Sequence, residues 1–354
     1  MRIGILTFHR AHNFGAVLQC FALQEVMKRL GHDVKVIDYR QPRIEQIYKP
    51  FKLKHLIGLA VHIHKSAINY LTDYPKRKHR EKAFNSFAQK YLQLTQPCTE
   101  NSIPQDFDAY LIGSDQLWNP WCLGGKMDNV YLGHFKRPEN SQLYGYAISA
   151  TAGAIDNLGA KQLSNIIASF SALSLREQTA AKVLGAIAGT TPQVCCDPTL
   201  LTDQSFWDPV TNNKFQNRKY VLLYQVRYPK NDRTLLNRKA QQLANSMNCE
   251  LITATPEKYS VEDFVSLFKY ASHVVTSSFH ATVFSLIFQT PFYSVKLKDG
   301  GDARYEELLN SIGAESLCVD ANFEPVPANP DFKTITKKLN NYKQQSINFL
   351  RQIK

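Results

Sequence analysis

The chain alternates between strand and helix patterns from its first residues. An apolar strand pattern over residues 3–6 precedes a loop, and a helical pattern then runs from about 16 to 30. Gly31 is a suitable helix terminator, and a second strand pattern covers residues 34–38. Two strands joined by one helix form a βαβ unit, which requires a parallel sheet with a right-handed crossover. The start of the chain therefore predicts an α/β fold.

Two series of strand patterns follow, separated by a polar stretch at residues 206–218. We interpret this stretch as a linker between domains at 1–205 and 219–331, with a final helix at 332–354. Each domain is predicted to be a doubly wound, Rossmann-like unit, and two such units facing each other across a cleft resemble the GT-B architecture. The strand patterns lie at 109–112, 143–148, 172–175 and 194–196, and then at 220–226, 250–253, 273–276 and 292–295.

One segment, from about residue 49 to 90, departs from this alternation and is helical and strongly basic. With its apolar face, such an insertion would suit contact with an anionic membrane surface or guidance of an anionic acceptor. A solvated helical face with lysines for solubility explains the same residues equally well. The basic residues are Lys52, Lys54, Lys65, Lys76, Arg77, Lys78, Arg80 and Lys82.

The charge and the cysteines narrow the class of protein. A formal net charge of +12 favours polyanionic partners. Nucleic acid is not expected, because the chain has no recognisable reading module and its basic run lacks interleaved aromatic residues. The seven cysteines form no CxxC pair, which argues against a disulfide framework or a zinc site. No secretory segment opens the chain, so we expect a cytoplasmic protein, with peripheral contact at the inner face of the membrane if the basic segment binds lipid.

The stretch at residues 276–286 is the strongest candidate for chemistry. A strand pattern stops at hydroxyl residues, and an apolar helix pattern follows, so Ser277 or Ser278 is predicted to cap the helix. This order puts His280, which titrates near neutral pH, beside backbone N–H groups that attract anions. A core histidine bonded to a backbone carbonyl is the alternative.

Two earlier strand ends carry residues suited to sugar recognition. After the first strand come His12 and Asn13, and after residue 112 come Asp115, Gln116 and Trp118. Amides and a carboxylate bond to hydroxyl groups, and an indole packs on a pyranose face; a structured turn that uses Asp as a cap is the alternative. The first loop has neither GxGxxG nor GK[ST], so a dinucleotide or Walker-type site is not supported. Histidines without carboxylate or cysteine support do not predict a metal site either.

A third strand end carries Arg176, whose guanidinium would point into the cleft. Its planar fork suits a carboxylate or phosphate, and a salt bridge to Glu177 is the alternative. The nearby turn at residues 197–199 is interpreted as structural rather than chemical.

Taken in order, these stretches resemble the polysaccharide pyruvyl transferase family over about residues 1–310. The resemblance implies a GT-B-like fold that moves the enolpyruvyl unit of phosphoenolpyruvate onto two hydroxyls of a sugar, giving a pyruvate ketal. It also implies that His280 is the general acid/base and that Arg176 binds the donor substrate. No metal is expected, because cationic side chains can neutralise the charge of the donor, and phosphoenolpyruvate is a substrate rather than a cofactor. The matching residues are Asn13-Phe14-Gly15-Ala16 with Gln19 and Ala22-Leu23-Gln24, Gly113-Ser114-Asp115-Gln116 with Trp118-Asn119, Ser174-Leu175-Arg176-Glu177, Asp197-Pro198-Thr199-Leu200 and Ser278-Phe279-His280.

The chain departs from the family pattern beside the histidine. Some members carry an arginine where this chain has Ser278, so one cation for the donor must come from elsewhere, and we expect Lys296, Lys298 or Arg304 to supply it. Glycine often follows the histidine in the family, whereas Ala281 follows it here and leaves less room for close backbone approach.

The predicted division of labour places the donor, with Ser278, on the second domain and the acceptor on the first. The acceptor would be a sugar or a lipid-linked oligosaccharide, bound by His12, Asn13, Asp115, Gln116 and Trp118. Two other functions fit the layout: a GT-B glycosyltransferase that uses a nucleotide sugar, and a non-catalytic adaptor in polysaccharide assembly.

Overall fold

The computed structural model describes residues 1–49, 72–156 and 159–354. The predicted basic insertion falls partly outside this range, and with it Lys52, Lys54 and Lys65. Its described part is the helix Tyr74–Tyr91, which buries Phe84 and Phe87. One of its cations, Arg80, pairs with Glu257 at 2.8 Å.

The first sheet has six parallel strands in the order β2-β1-β3-β4-β5-β6. β3 is much longer than predicted. It continues past residue 112, where the sequence pattern suggested a loop, and pairs with β4 as far as Trp118. The strands are β1 Arg2–Leu6, β2 Asp33–Val36, β3 Ala109–Trp118, β4 Gln142–Ala150, β5 Ala172–Leu175 and β6 Gln193–Val194.

The second sheet has five parallel strands in the order β11-β10-β9-β7-β8. The edge strand β11 was not predicted, because three residues bounded by short turns carry no readable periodicity. The strands are β7 Tyr220–Tyr224, β8 Glu250–Thr253, β9 His273–Thr276, β10 Phe292–Lys296 and β11 Cys318–Asp320.

Helices connect the parallel strands and cover both sheets. The described α-helices are α1 Phe14–Arg29, α2 Pro42–Tyr48, α3 Tyr74–Tyr91, α4 Ala152–Asp156, α5 Ala160–Ala168, α6 Gln178–Ala188, α7 Gln204–Trp207, α8 Leu235–Ser246, α9 Val261–Tyr270, α10 Phe279–Phe288, α11 Ala303–Ser311 and α12 Phe332–Leu350. Within the three described stretches, no helix is both long and apolar enough to cross a bilayer.

The two sheets form two Rossmann-like units in a GT-B-like arrangement, as predicted. In each sheet the strand order reverses once, between β1 and β3 in the first and between β7 and β9 in the second. Ligands of open parallel sheets bind at such reversals, outside the carboxyl ends of the strands. The topology therefore gives each unit one favoured edge for a site.

A continuous apolar core joins the two units. The ring of Phe14, the first residue of α1, stacks on Phe264 of α9 with centroids 4.2 Å apart. Trp207, inside the segment interpreted as a linker, packs against Phe21 of α1 and Phe284 of α10. The segment thus anchors Trp207 in the shared core, while most of its other residues are exposed. The domain boundaries at 205 and 219 stay a prediction.

The last helix, α12, returns to the first unit. The Ser346 hydroxyl accepts the Cys196 backbone N–H at 2.8 Å, and Phe349 lies against Tyr146. Because α12 follows the second unit in sequence, this packing ties the carboxyl end of the chain to the first sheet.

Candidate functional site

A central cavity of about 350 Å³ lies where the two strand-order reversals meet. Asn13 follows β1, Asp115 lies in β3, Arg227 follows β7, and Ser278 and His280 follow β9. Other described residues of its lining include Phe8, Ile47, Tyr48, Gln116, Trp121, Val226, Phe279 and Arg304. One cavity thus receives side chains from both topologically favoured edges.

His280 is the second residue of α10, so it lies at the start of the helix, as the sequence predicted. Ser278 is the N-cap, and its hydroxyl accepts the backbone N–H of Ala281 at 3.4 Å. Asn13 caps α1 from the other unit, its side chain accepting from Ala16 at 3.3 Å. The N-termini of two helices therefore converge on the cavity, and their positive dipole ends favour an anion there.

The imidazole of His280 packs against the backbone of the first unit. A Cβ atom added to Gly15 would lie 2.0 Å from the ring Nδ1, so only glycine leaves room for the ring at this point. On the other side, Nε2 lies 3.4 Å from Oδ2 of Asp197. The histidine is only 7% exposed, yet it lines the cavity and is held between two elements of the opposite unit.

Asp197 links this histidine to Arg176. The carboxylate is fully buried, accepts from Nη1 of Arg176 at 2.8 Å and accepts the Thr199 hydroxyl at 2.6 Å. Burial alone would raise the pKa of Asp197, but the charges of His280 and Arg176, with the Thr199 hydrogen bond, hold it below the ordinary carboxyl value. The turn interpreted as structural thus carries a buried, ionised carboxylate next to the candidate acid.

Arg176 lies behind the cavity rather than in its lining. Its guanidinium sits over the Phe279 ring, 4.5 Å from the centroid, and Nε donates to Glu177, so the salt bridge considered as the alternative is present. Nη2 is buried without a hydrogen-bond partner. Arg176 lines an adjoining cavity of about 90 Å³, and Phe279 and Arg304 border both cavities.

Asp115 and Gln116 reach the central cavity because β3 is irregular at Gly113. A Cβ there would lie 2.0 Å from the Tyr146 carbonyl oxygen, and Asp115 itself has a φ of 77°. From α1, the Gln19 amide oxygen accepts the Ser114 backbone N–H at 3.2 Å and holds this irregular turn. Asp115 and Gln116 consequently face the cavity from the end of a strand that continues beyond them.

The prediction that Trp118 packs on a sugar ring is wrong. Because β3 continues through this residue, its indole is fully buried and donates to the Tyr131 carbonyl at 2.8 Å. Among the described aromatic residues of the cavity lining, Trp121 is the one at the surface, with 87% of it exposed. His12 lies outside the central cavity as well, stacked on Phe84 in a neighbouring pocket of about 80 Å³. Burial and two nearby arginines lower the pKa of His12 to about 4.

Of the three cations proposed for the donor, only Arg304 lines the central cavity. Among the described residues it forms no ion pair, and burial with the adjacent charge of Arg176 lowers its pKa. Lys296 and Lys298 were wrong choices: both lie within 3.8 Å of Asp320 on the unpredicted strand β11, and neither borders the cavity. A cation that sequence reasoning missed, Arg227, does line it.

The sequence profile described as polysaccharide pyruvyl transferase matches residues 13–299. No curated protein matches the chain in sequence. In the structure, the described residues contain no cluster of three or more His, Cys, Asp or Glu side chains that could hold a metal ion.

Several solved structures are similar in fold at low identity. UDP-GlcNAc 2-epimerase from Neisseria meningitidis, bound to UDP-GlcNAc, is 9% identical with a TM-score of 0.45, covering 99% of this chain and 94% of its own. UDP-GlcNAc 2-epimerase from Methanocaldococcus jannaschii is 10% identical with a TM-score of 0.45 and coverages of 96% and 92%. The Streptomyces sp. SF2575 glycosyltransferase SsfS6 is 14% identical with a TM-score of 0.38 and coverages of 99% and 95%.

Proposed function

This chain belongs to the polysaccharide pyruvyl transferase family, and we propose that it transfers the enolpyruvyl unit of phosphoenolpyruvate to a sugar, forming a pyruvate ketal. One observation carries the proposal: His280 lines a cavity that also holds Arg304 and two helix N-termini. A proton donor beside an anion site is what addition to an enol phosphate requires.

The donor would bind on the side of the second unit. Phosphoenolpyruvate carries a carboxylate and a phosphate, and Arg304 offers a guanidinium with no carboxylate partner among the described residues. Ser278 borders the same space and caps the helix whose N-terminus faces the anion. Arg176 would act from behind, keeping Asp197 ionised next to His280.

The reaction would proceed in two steps. A hydroxyl of the acceptor adds to C2 of phosphoenolpyruvate, His280 donates a proton to C3, and the hydroxyl passes its own proton to solvent. The C3 methylene becomes a methyl group, and C2 then carries the sugar oxygen and the phosphate. A second hydroxyl of the same sugar then attacks C2 and closes the ketal. The bond from C2 to the phosphate oxygen breaks, and inorganic phosphate leaves with the proton of that hydroxyl. Asp115, at the acceptor side of the cavity, would orient the hydroxyls.

The acceptor would be a sugar, free or as part of a lipid-linked oligosaccharide, bound at the mouth by Asn13, Asp115 and Gln116. Trp121 would provide the apolar platform for the pyranose ring. The basic part of α3 would then help to hold an anionic acceptor or a membrane surface; it stays a proposal, like the location of the protein at the inner face of the membrane.

Trp121→Ala is expected to raise the KM for the acceptor roughly 2- to 10-fold, the range for losing one aromatic stacking contact. The KM for phosphoenolpyruvate should stay the same, because Trp121 lies on the acceptor side. Steady-state kinetics with each substrate varied in turn measure both values. Val326→Ala, an exposed apolar residue outside the cavity lining, is the matched control. An unchanged acceptor KM in Trp121→Ala would contradict the assignment.

The test of the function itself is selective binding followed by product analysis. Phosphoenolpyruvate is expected to raise the melting temperature of the protein, since a ligand that binds only the folded state stabilises it. Mass spectrometry of candidate oligosaccharides incubated with enzyme and phosphoenolpyruvate should then show a pyruvylated product. Stabilisation by a nucleoside diphosphate alone would favour a glycosyltransferase. Stabilisation by neither ligand, with no product, would favour a non-catalytic adaptor.

A further inference from the structure

Arg227 lines the central cavity, and the two aspartates that pair with its guanidinium do not. The residue follows β7 at the strand-order reversal of the second sheet and lines the same cavity as His280. Nη2 donates to Asp302 at 2.8 Å and Nη1 contacts Asp299, yet neither aspartate is part of the described cavity lining. Nε is buried without a hydrogen-bond partner. Nη1 and Nη2 therefore carry the described contacts of the guanidinium with the aspartates, and Nε carries none.

The support behind this guanidinium is rigid. Asp302 is buried, and its second carboxylate oxygen accepts the backbone N–H groups of Leu297 at 2.9 Å and Lys298 at 2.6 Å. Nη2 of Arg227 also donates to the Tyr305 hydroxyl at 3.0 Å, and that hydroxyl donates to Val295 at 2.8 Å. A cation fixed in this way loses little freedom when it binds an anion.

Gly301 gives the guanidinium room to lie against the backbone. A Cβ at this position would lie 2.5 Å from Nη1 and 2.9 Å from Cζ of Arg227. Its φ is not in the left-handed region, so the backbone accepts alanine and the displaced atoms are those of a flexible side-chain end. Alanine at 301 should therefore move the guanidinium without strain elsewhere.

We propose that Arg227 is the second guanidinium of the donor anion site, facing Arg304 and completing a pair that binds the phosphate and carboxylate of a small dianion. The inference rests on the proposed function and names the residue that supplies the cation missing at Ser278. Two forks on one cavity match two anionic groups on one donor.

The test measures the binding of inorganic phosphate and of phosphoenolpyruvate to the full chain by calorimetry. Arg227→Gln is expected to weaken both about 10- to 100-fold, the range for losing a hydrogen bond to a charged group. Gly301→Ala should weaken them in the same direction. Asp299→Asn should leave anion binding unchanged or tighter. The asparagine amide oxygen can still accept the Gly301 N–H at 3.0 Å, and the negative charge that competes with the ligand for Nη1 of Arg227 is removed.

Arg218→Gln is the control, since Arg218 pairs with Glu250 on the surface and lies outside the cavity lining. Unchanged binding in folded Arg227→Gln and Gly301→Ala would overturn the inference. So would weaker binding in Asp299→Asn, which would show that Arg227 acts only as a structural ion pair.

The same data separate this inference from the proposed function. If the wild-type protein binds phosphate through Arg227 but does not turn over phosphoenolpyruvate, the anion site is supported and the proposed function is rejected. If Arg227→Gln turns over phosphoenolpyruvate with an unchanged KM, the inference about Arg227 is rejected and the proposed function is not. A wild-type protein that binds neither anion overturns both.

Discussion

His280→Gln is expected to lower kcat about 10²- to 10⁴-fold, the usual contribution of a positioned general acid. Glutamine keeps a polar side chain of similar length between Gly15 and Asp197 but cannot donate a proton to C3 of the donor. The fold should persist, because Nε2 of the ring has no hydrogen-bond partner among the described residues and lies 3.4 Å from Asp197. Steady-state turnover of phosphoenolpyruvate, together with the melting temperature, measures both effects.

His134→Gln is the matched control, an exposed imidazole that is not part of the described cavity lining. Gly15→Ala tests position instead of chemistry: its Cβ would displace the ring, so kcat should fall although His280 is unchanged. Near-normal turnover in His280→Gln would remove the assignment of this residue as the acid. Loss of activity in His280→Gln but not in Gly15→Ala would show that the ring position against α1 is not required.

The parallel sheets and the placement of His280 could be predicted because both depend on short stretches of sequence. A buried strand pattern, hydroxyl residues and an apolar helix in that order determine where β9 ends and α10 begins. The same local signals located β5, β8 and β9 at their observed bounds. Strand order, which decides that both reversals open on one cavity, is a property of long-range pairing and has no such local signal.

The position of Trp118 was predicted wrongly because β3 is irregular at Gly113, and local sequence patterns do not reveal such an irregularity. Gly113 suggested the end of a strand, but the Gln19 hydrogen bond and close packing on Tyr146 let β3 turn Asp115 outward and then continue. β3 therefore continues through Trp118 and buries it, whereas Trp121 lies in the turn after the strand and is exposed.

Partners from separate units were the hardest to predict. Asp197 and His280 are 83 residues apart in sequence (280 − 197), and only the packing of the two units brings them together. The pairing of Lys296 and Lys298 with Asp320 lies within the second unit and was missed for another reason, because β11 was not recognised. Arg227 carries no motif at all, and its site appears only when the loop before α11 folds over it.

Asp197→Ala is expected to lower the free energy of unfolding by about 3–5 kcal/mol, the cost of breaking a buried ion pair from one side. Among the described residues, Glu177 would be the remaining ion-pair partner of Arg176, whose Nη2 is already without a hydrogen-bond partner. The Thr199 hydroxyl and backbone N–H, both bonded to Asp197, would lose their acceptor as well. Urea unfolding monitored by circular dichroism measures the difference, provided that the m-value is unchanged.

Asp208→Ala is the control, because its pair with Lys269 is largely exposed and should be worth at most about 1 kcal/mol. Acid provides an independent check with Asp197→Asn. The pKa of Asp197 is lowered in the folded state, so its charge stabilises the fold above the ordinary carboxyl pKa of about 4, and that contribution is lost as the pH falls below it. The stability gap between wild type and Asp197→Asn should thus be largest near pH 7 and shrink below about pH 4. A gap that does not change with pH would mean that the ionised carboxylate is not what holds Arg176 and His280 together.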